Sequence, residues 1–178
     1  AGEAPNIVAA AYTNSFGKPE KAAMFNIDAT IAGLIQQTAP NDGTLAAIGK
    51  LGPVLEGPVG FDVATKADGT NTAWLAANGG LHTVDLATGA AMNIGPSGIT
   101  LGRSLKYSGL AFDADGTLLS LGSLDAASGA LYSIDTLNGA ATSLSGTGLP
   151  YGTGPIHFGV DGGLTFAPTT AVPLPADV

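Results

Sequence analysis

Hydrophobic and polar positions alternate over short stretches of this chain and are then interrupted. Leu131-Tyr132-Ser133-Ile134 has the pattern of a strand, and Asp135-Thr136-Leu137-Asn138-Gly139 stops it. Alternation over four to eight residues marks a half-buried strand, whereas a helix needs apolar positions at a 3.6-residue period over a longer stretch. No segment carries a sustained helical period with caps. The interruptions have their own chemistry. Asp bonds to nearby backbone N–H groups, and Asn-Gly accepts the positive φ of a tight hairpin. The pattern predicts an all-β chain with almost no helix.

The alternation also recurs. Leu81-His82-Thr83-Val84-Asp85-Leu86-Ala87-Thr88-Gly89-Ala90-Ala91 returns about fifty residues later as Leu131 to Ala141, and a degenerate copy begins at Met24-Phe25-Asn26-Ile27-Asp28. Gly60-Phe61-Asp62-Val63, Gly109-Leu110-Ala111-Phe112-Asp113 and Gly163-Leu164-Thr165-Phe166 form a second recurring signature. The clearest unit reads as strands over Gly109–Phe112, Leu118–Leu121, Leu131–Ile134 and Ala140–Leu144, with Gly89 and Gly139 at equivalent positive-φ turn positions. A four-stranded unit of this length has the size of a propeller blade. The expected fold is a propeller-like array of four-stranded antiparallel blades, about three and a half in number. Three arrangements fit: the N-terminal segment completes a small ring, the chain is part of a larger propeller, or a partner completes an open one. Residues 1–168 form the repeat domain and 169–178 a Pro-rich tail. The Gly-rich stretch Ser145 to Gly154 reads as an inter-blade loop.

Composition narrows the function. The net charge is −8, with six Lys and Arg in 178 residues. Nucleic acid is not expected as a partner, because binding it requires a basic surface that releases counterions. No apolar run reaches the length of a membrane helix, so direct membrane insertion is not expected. There is no cysteine, which removes disulfides and thiolate metal sites. The 27 glycines and 11 prolines suit many short strands joined by turns.

Candidate chemistry is thin. Asp113-Ala114-Asp115-Gly116 starts like a calcium loop but lacks the later acidic ligand at the required spacing. It reads as a strand-connecting turn, as do Asn41-Asp42-Gly43, the Asp62 to Asp68-Gly69 stretch and Asp161-Gly162-Gly163. His82 lies on a predicted third strand in the role of Tyr132, which favours packing. His157 follows Gly154-Pro155-Ile156. Two distant histidines make no zinc signature, and no Gly-x-Ser-x-Gly elbow is present. The Gly146 to Gly154 loop lacks the Lys and following helix of a phosphate cradle. Arg103 and Lys106 read as solvated surface. Trp74 is expected in the core; with Tyr12, Tyr107 and Tyr151 it is the aromatic set that a sugar would stack on. No catalytic, cofactor-binding or metal-ligating residue is assigned, and no cofactor is expected.

Several segments resemble a known family. They are Ala10-Ala11-Tyr12-Thr13-Asn14-Ser15-Phe16, then Pro40-Asn41-Asp42-Gly43-Thr44-Leu45 with Ile48-Gly49. Gly60-Phe61-Asp62-Val63 and His82 to Ala91 follow in the same order. In these the chain resembles the bacterial domain of unknown function 4394, closely from about Ala9 to Gly95 and more loosely to Phe166. The resemblance implies a secreted propeller-like protein of the bacterial envelope, with no known activity and no catalytic residue to carry over. That family has further blade-like sequence ahead of the Tyr-Thr-Asn-Ser-Phe signature. Almost none precedes it here, which counts against the ring closing within the chain and leaves a closed ring as the competing arrangement. Ala171-Val172-Pro173-Leu174-Pro175-Ala176 resembles the start of a Val-Pro-x-Pro-Ala sorting signal, without the apolar helix and basic cluster that follow in such signals. A processed remnant and a plain Pro-rich terminus both fit it.

The expectation is a non-catalytic structural or interaction protein, periplasmic, secreted or on the cell surface, that associates with a protein partner or with itself. A carbohydrate- or small-ligand-binding module is the alternative, and a hydrolase the third reading.

Overall fold

The protein is described by a computed structural model over residues 4–15, 21–98, 106–113, 115–123 and 129–144. Among the described residues, twelve strands form three four-stranded antiparallel sheets. The first blade holds β1 (Ile7–Tyr12), β2 (Met24–Asp28), β3 (Gly33–Ala39) and β4 (Thr44–Lys50). The second holds β5 (Gly60–Thr65), β6 (Asn71–Ala77), β7 (Gly80–Val84) and β8 (Ala91–Pro96). The third holds β9 (Lys106–Phe112), β10 (Leu118–Ser123), β11 (Gly129–Ile134) and β12 (Ala141–Ser143). Among the described residues the only helical element is a 3₁₀ turn, Pro40–Asp42. The all-β expectation and the blade-like units therefore hold. The expected half blade and the tail lie outside the described residues, as does the Ser145 to Gly154 loop.

Each blade is a meander, with strands adjacent in sequence paired in space. The first strands of the blades meet in order, β1 against β5 and β5 against β9. No strand pairing joins the third sheet to the first, so the row is not closed among the described residues.

Alternation along each strand gives every blade two apolar faces, and the core lies in the seams. Ala11, Phe25, Ile27 and Leu34 of blade 1 pack against Phe61, Val63, Leu75 and Val84 of blade 2. The second seam sets Ala76 and Leu81 of blade 2 against Leu110, Leu118, Tyr132 and Ile134 of blade 3. Burying a side chain of this size contributes about 1.5–3 kcal/mol.

One part of the repeat is corrected. Met24–Asp28 is the second strand of its blade, not the third, and the true third strand is Gly33–Ala39. The likeness to Val84-Asp85 comes from the turn. Asp28 Oδ1 accepts from Thr30 N at 2.8 Å, as Asp85 Oδ1 accepts from Ala87 N at 2.7 Å. The same Ile/Val-Asp turn thus follows different strands in the two blades.

Candidate functional site: the polar joints between blades

The two seams are fastened at their outer ends by the same device. In blade 1 a bulge between Leu34 and Ile35 on the β3–β4 pair brings Gly49 opposite Leu34. In blade 2 a bulge between Leu81 and His82 brings Gly95 opposite Leu81. Bulges re-aim the residues beside them. Here they leave Ile48 and Ile94 against the two cores and lay a glycine beneath the next blade's hairpin. A Cβ on Gly49 would collide with the Thr88 carbonyl, and one on Gly95 with the Asn138 carbonyl. Two backbone bonds complete the latch: Ala91 N donates to Leu51 O, and Ala141 N to Ser97 O, both at 2.8 Å. The hairpin tips are Gly89, at φ 80°, and Gly139, at φ 79°, equivalent as expected.

The acidic turns spend their carboxylates on the backbone. Asp113 Oδ1 accepts from Asp115 N at 3.0 Å and Thr117 N at 2.8 Å. Asp85 Oδ1 accepts from Ala87 N and Thr88 N, and these bonds hold its carboxyl below the ordinary range. Asp135 repeats the turn with Leu137 N and the Asn138 side chain. Asp68 caps its turn through Thr70 N. Among the described residues no three of His, Cys, Asp and Glu gather where a metal ion would sit.

At their inner ends the seams differ. In the first, Asn14 N donates to Asn71 Oδ1 at 2.9 Å, and Asn71 Nδ2 returns a bond to Asn14 Oδ1 at 2.8 Å. Ser15 N donates to Thr65 Oγ1 at 3.0 Å. The Asn-Ser part of the early signature is therefore a joint from blade 1 to blade 2, with Asn14 at a φ of 54°.

In the second seam Asp62 does this work. The structure puts it not in a strand-connecting turn but in the middle of β5, opposite Trp74. Its alternation partner Phe61 fills one seam, so Asp62 faces the other. Oδ2 accepts from Phe112 N at 3.1 Å and Oδ1 from Val63 N at 2.8 Å. Burial pushes its carboxyl up, and the two N–H groups pull it partly back. Trp74 meets Phe112 edge-on, with centroids 6.1 Å apart, and its indole N–H has no acceptor among the described residues. An acidic residue inside a Gly-Phe-Asp-Val strand pattern was the available signal for this site.

His82 is half-buried on β7, opposite Leu75 and Asn93, and burial lowers its pKa. Tyr132 holds the equivalent place in blade 3 and is buried. Tyr12 is 53% exposed on β1. Arg103, Tyr151, His157 and the Asp161 to Gly163 turn lie outside the described residues, and so do the side chains of Lys106 and Tyr107. No described helix is long and apolar enough to cross a membrane, which says nothing of strands.

A family model described as "Domain of unknown function (DUF4394)" matches residues 1–111. The chain belongs to this family. DUF4394 membership covers the first two blades and most of β9. No curated protein matches the chain. A solved structure described as "a putative 6-phosphogluconolactonase from Bacteroides uniformis ATCC 8492" is similar at 18% identity and a TM-score of 0.43. The likeness covers 78% of this chain and 40% of that one. At that distance it bears on neither activity nor substrate.

Proposed function

We propose that this DUF4394 chain is a non-catalytic structural or interaction module of the bacterial envelope that works in contact with another protein surface. One observation carries the reading. The polar side chains that cross between blades are spent on joining them, Asn14 on Asn71 and Asp62 on the backbone of Phe112, while Val8 and Tyr12 stand exposed on β1. Groups held in this way fix the blades in place and leave their hydrogen-bonding capacity filled. Apolar side chains in the open are what an interface covers.

The test is a pair of panels on purified protein, one of esters, lactones and glycosides and one of immobilised envelope proteins. The expected result is no turnover on the first and saturable binding on the second. Turnover that tracks the folded protein overturns the reading. A second reading, a carbohydrate-binding module, has Tyr12 in its favour, since an exposed aromatic on an inner strand is a stacking surface. A glycan array with wild type and Tyr12→Ala separates it: signal lost in the variant supports sugar binding.

A further inference from the structure

The chain holds two Asn-Gly pairs, Asn78-Gly79 and Asn138-Gly139. The backbone nitrogen after an asparagine can attack that asparagine's side-chain carbonyl, and glycine puts no side chain in the way. The structure sets the two pairs in opposite states. Asn138-Gly139 belongs to the outer latch. Gly139 is buried beneath Gly95, and its N–H donates to Asp135 O at 2.8 Å. Asn138 Nδ2 donates to Asp135 Oδ2, and Asn138 Oδ1 accepts from Ala140 N, both at 2.8 Å. The Gly139 nitrogen therefore becomes a nucleophile only when the hairpin opens.

Asn78-Gly79 is the two-residue turn between β6 and β7, with Asn78 at φ 53° and Gly79 at φ 74°. Asn78 is exposed, and the Gly79 N–H has no acceptor among the described residues. The Asn78 amide itself reaches across to the β4–β5 connection. Its Oδ1 accepts from Glu56 N at 2.8 Å, and its Nδ2 donates to Val54 O at 2.7 Å. The first bond polarises the carbonyl under attack and stabilises the negative charge its oxygen gains. Together they are the hydrogen bonds that hold residues 52–58 among the described residues, where Val54 is 73% exposed. The flanking Leu51 and Val59 are buried.

We propose that Asn78 is a site of spontaneous deamidation, and that this modification unfastens the β4–β5 connection from blade 2. The Gly79 nitrogen gives its proton to water or hydroxide and bonds to Asn78 Cγ. The Cγ–Nδ2 bond breaks, and the amide nitrogen takes up a proton and leaves as ammonia. Water then opens the resulting succinimide at either carbonyl, giving aspartate or isoaspartate. Both products lose the donor that held Val54 O, and a carboxylate oxygen takes its place. Two acceptors then face each other, which costs the bond and adds repulsion. Isoaspartate also lengthens the turn by a backbone carbon, against the tight register of Ala77 with Gly80. The proposal is independent of the interaction reading above.

The test is incubation of the wild-type chain in mildly alkaline buffer, followed by peptide mass spectrometry that resolves aspartate from isoaspartate. Asn78 is expected to convert about ten times faster than Asn138, because Asn138 must wait for local opening of the latch. In concentrated urea, where neither turn persists, the two pairs should convert at like rates. Equal rates in the folded chain, or a difference that persists undiminished in urea, overturns the assignment of the site. Asn78→Asp reads the consequence, since Asp is tolerated in a left-handed turn. A Glu-specific protease should cut after Glu56 about fivefold faster in Asn78→Asp than in wild type, the effect of losing one hydrogen bond. Cleavage at the wild-type rate overturns the unfastening.

Discussion

The seam between blades 1 and 2 and the seam between blades 2 and 3 share an outer latch but not an inner fastening. Outside, a bulge-aimed glycine lies under a positive-φ hairpin in both, with the same backbone bond beside it. Inside, the first seam uses neutral amides and hydroxyls, Asn14 with Asn71 and Ser15 with Thr65, around a core of Phe, Ile, Leu and Val. The second uses one half-buried carboxylate and an aromatic pair. The outer latch depends on backbone shape and on the recurring turn, an Ile-Gly pair beneath each glycine-tipped hairpin, so both seams build it alike. The inner fastening depends on side-chain chemistry, so each seam has its own response to pH and mutation.

The latch should be the costliest part to break, and equally so in both seams. Gly89→Val and Gly139→Val each combine a positive-φ penalty of about 1–2 kcal/mol with a collision against the preceding glycine, for a total of about 3 kcal/mol. Gly43→Val should lose only the first part, about 1–2 kcal/mol, because its hairpin is not seated. Urea titration of the three variants measures this, and equal losses at all three would remove the distinction between seated and free hairpins.

Gly49→Ala and Gly95→Ala come next. Each drives a Cβ into a backbone carbonyl that cannot rotate away, at a cost of about 2 kcal/mol. Near-neutral effects on thermal unfolding would mean the blades separate there more easily than the geometry allows.

Asp62→Ala should cost about 1–2 kcal/mol by leaving the Phe112 and Val63 N–H groups without their acceptor, and it should loosen only the second seam. Amide exchange would show faster opening at Phe112 than at Asn71. The charge adds a pH signature. Asp62 has a native pKa raised above 3.8, so the folded chain holds this proton more tightly than the unfolded chain. Its contribution is greatest in acid and is lost as pH rises through the native pKa. The stability of wild type relative to Asp62→Asn should therefore fall as pH climbs from about 4 towards neutrality; a flat difference would contradict the burial assigned to this carboxyl.

Asn14→Ala should cost about 1 kcal/mol, the net worth of a part-exposed amide pair, without altering the pH profile. The smallest effect is at Asp85, whose pKa is lowered by the N–H groups of Ala87 and Thr88. Its stabilisation is present above the unfolded value and lost as pH falls through the native pKa, opposite in sign to Asp62. Proton titration by NMR should show the two carboxyls moving in opposite directions from their ordinary values.

Strand alternation and turn chemistry made most of the blade plan legible. The strands expected at Gly109, Leu118, Leu131 and Ala140 appear as β9 to β12 with ends displaced by up to three residues. The Asp85 and Asp135 turns were readable because an Asx turn is made by neighbours in the chain. The same locality misled at Met24–Asp28, where a turn of the expected kind follows a second strand. Asp62 was misplaced for a related reason. A carboxylate that caps a local turn and one that reaches fifty residues onward to Phe112 look the same in sequence.

By itself, then, the sequence determined what contacts of short range determine. The chain would be all-β, it would repeat, its acidic residues would favour turns, and Gly89 and Gly139 would carry positive φ. Only the tertiary structure decided which face of each blade meets the next, that Gly49 and Gly95 sit beneath those hairpins, and that Asn14 and Asp62 fasten the inner strands. Alternation specifies that a strand has two faces; the packing of one sheet on another decides what each face touches, and that is fixed by residues about fifty positions away.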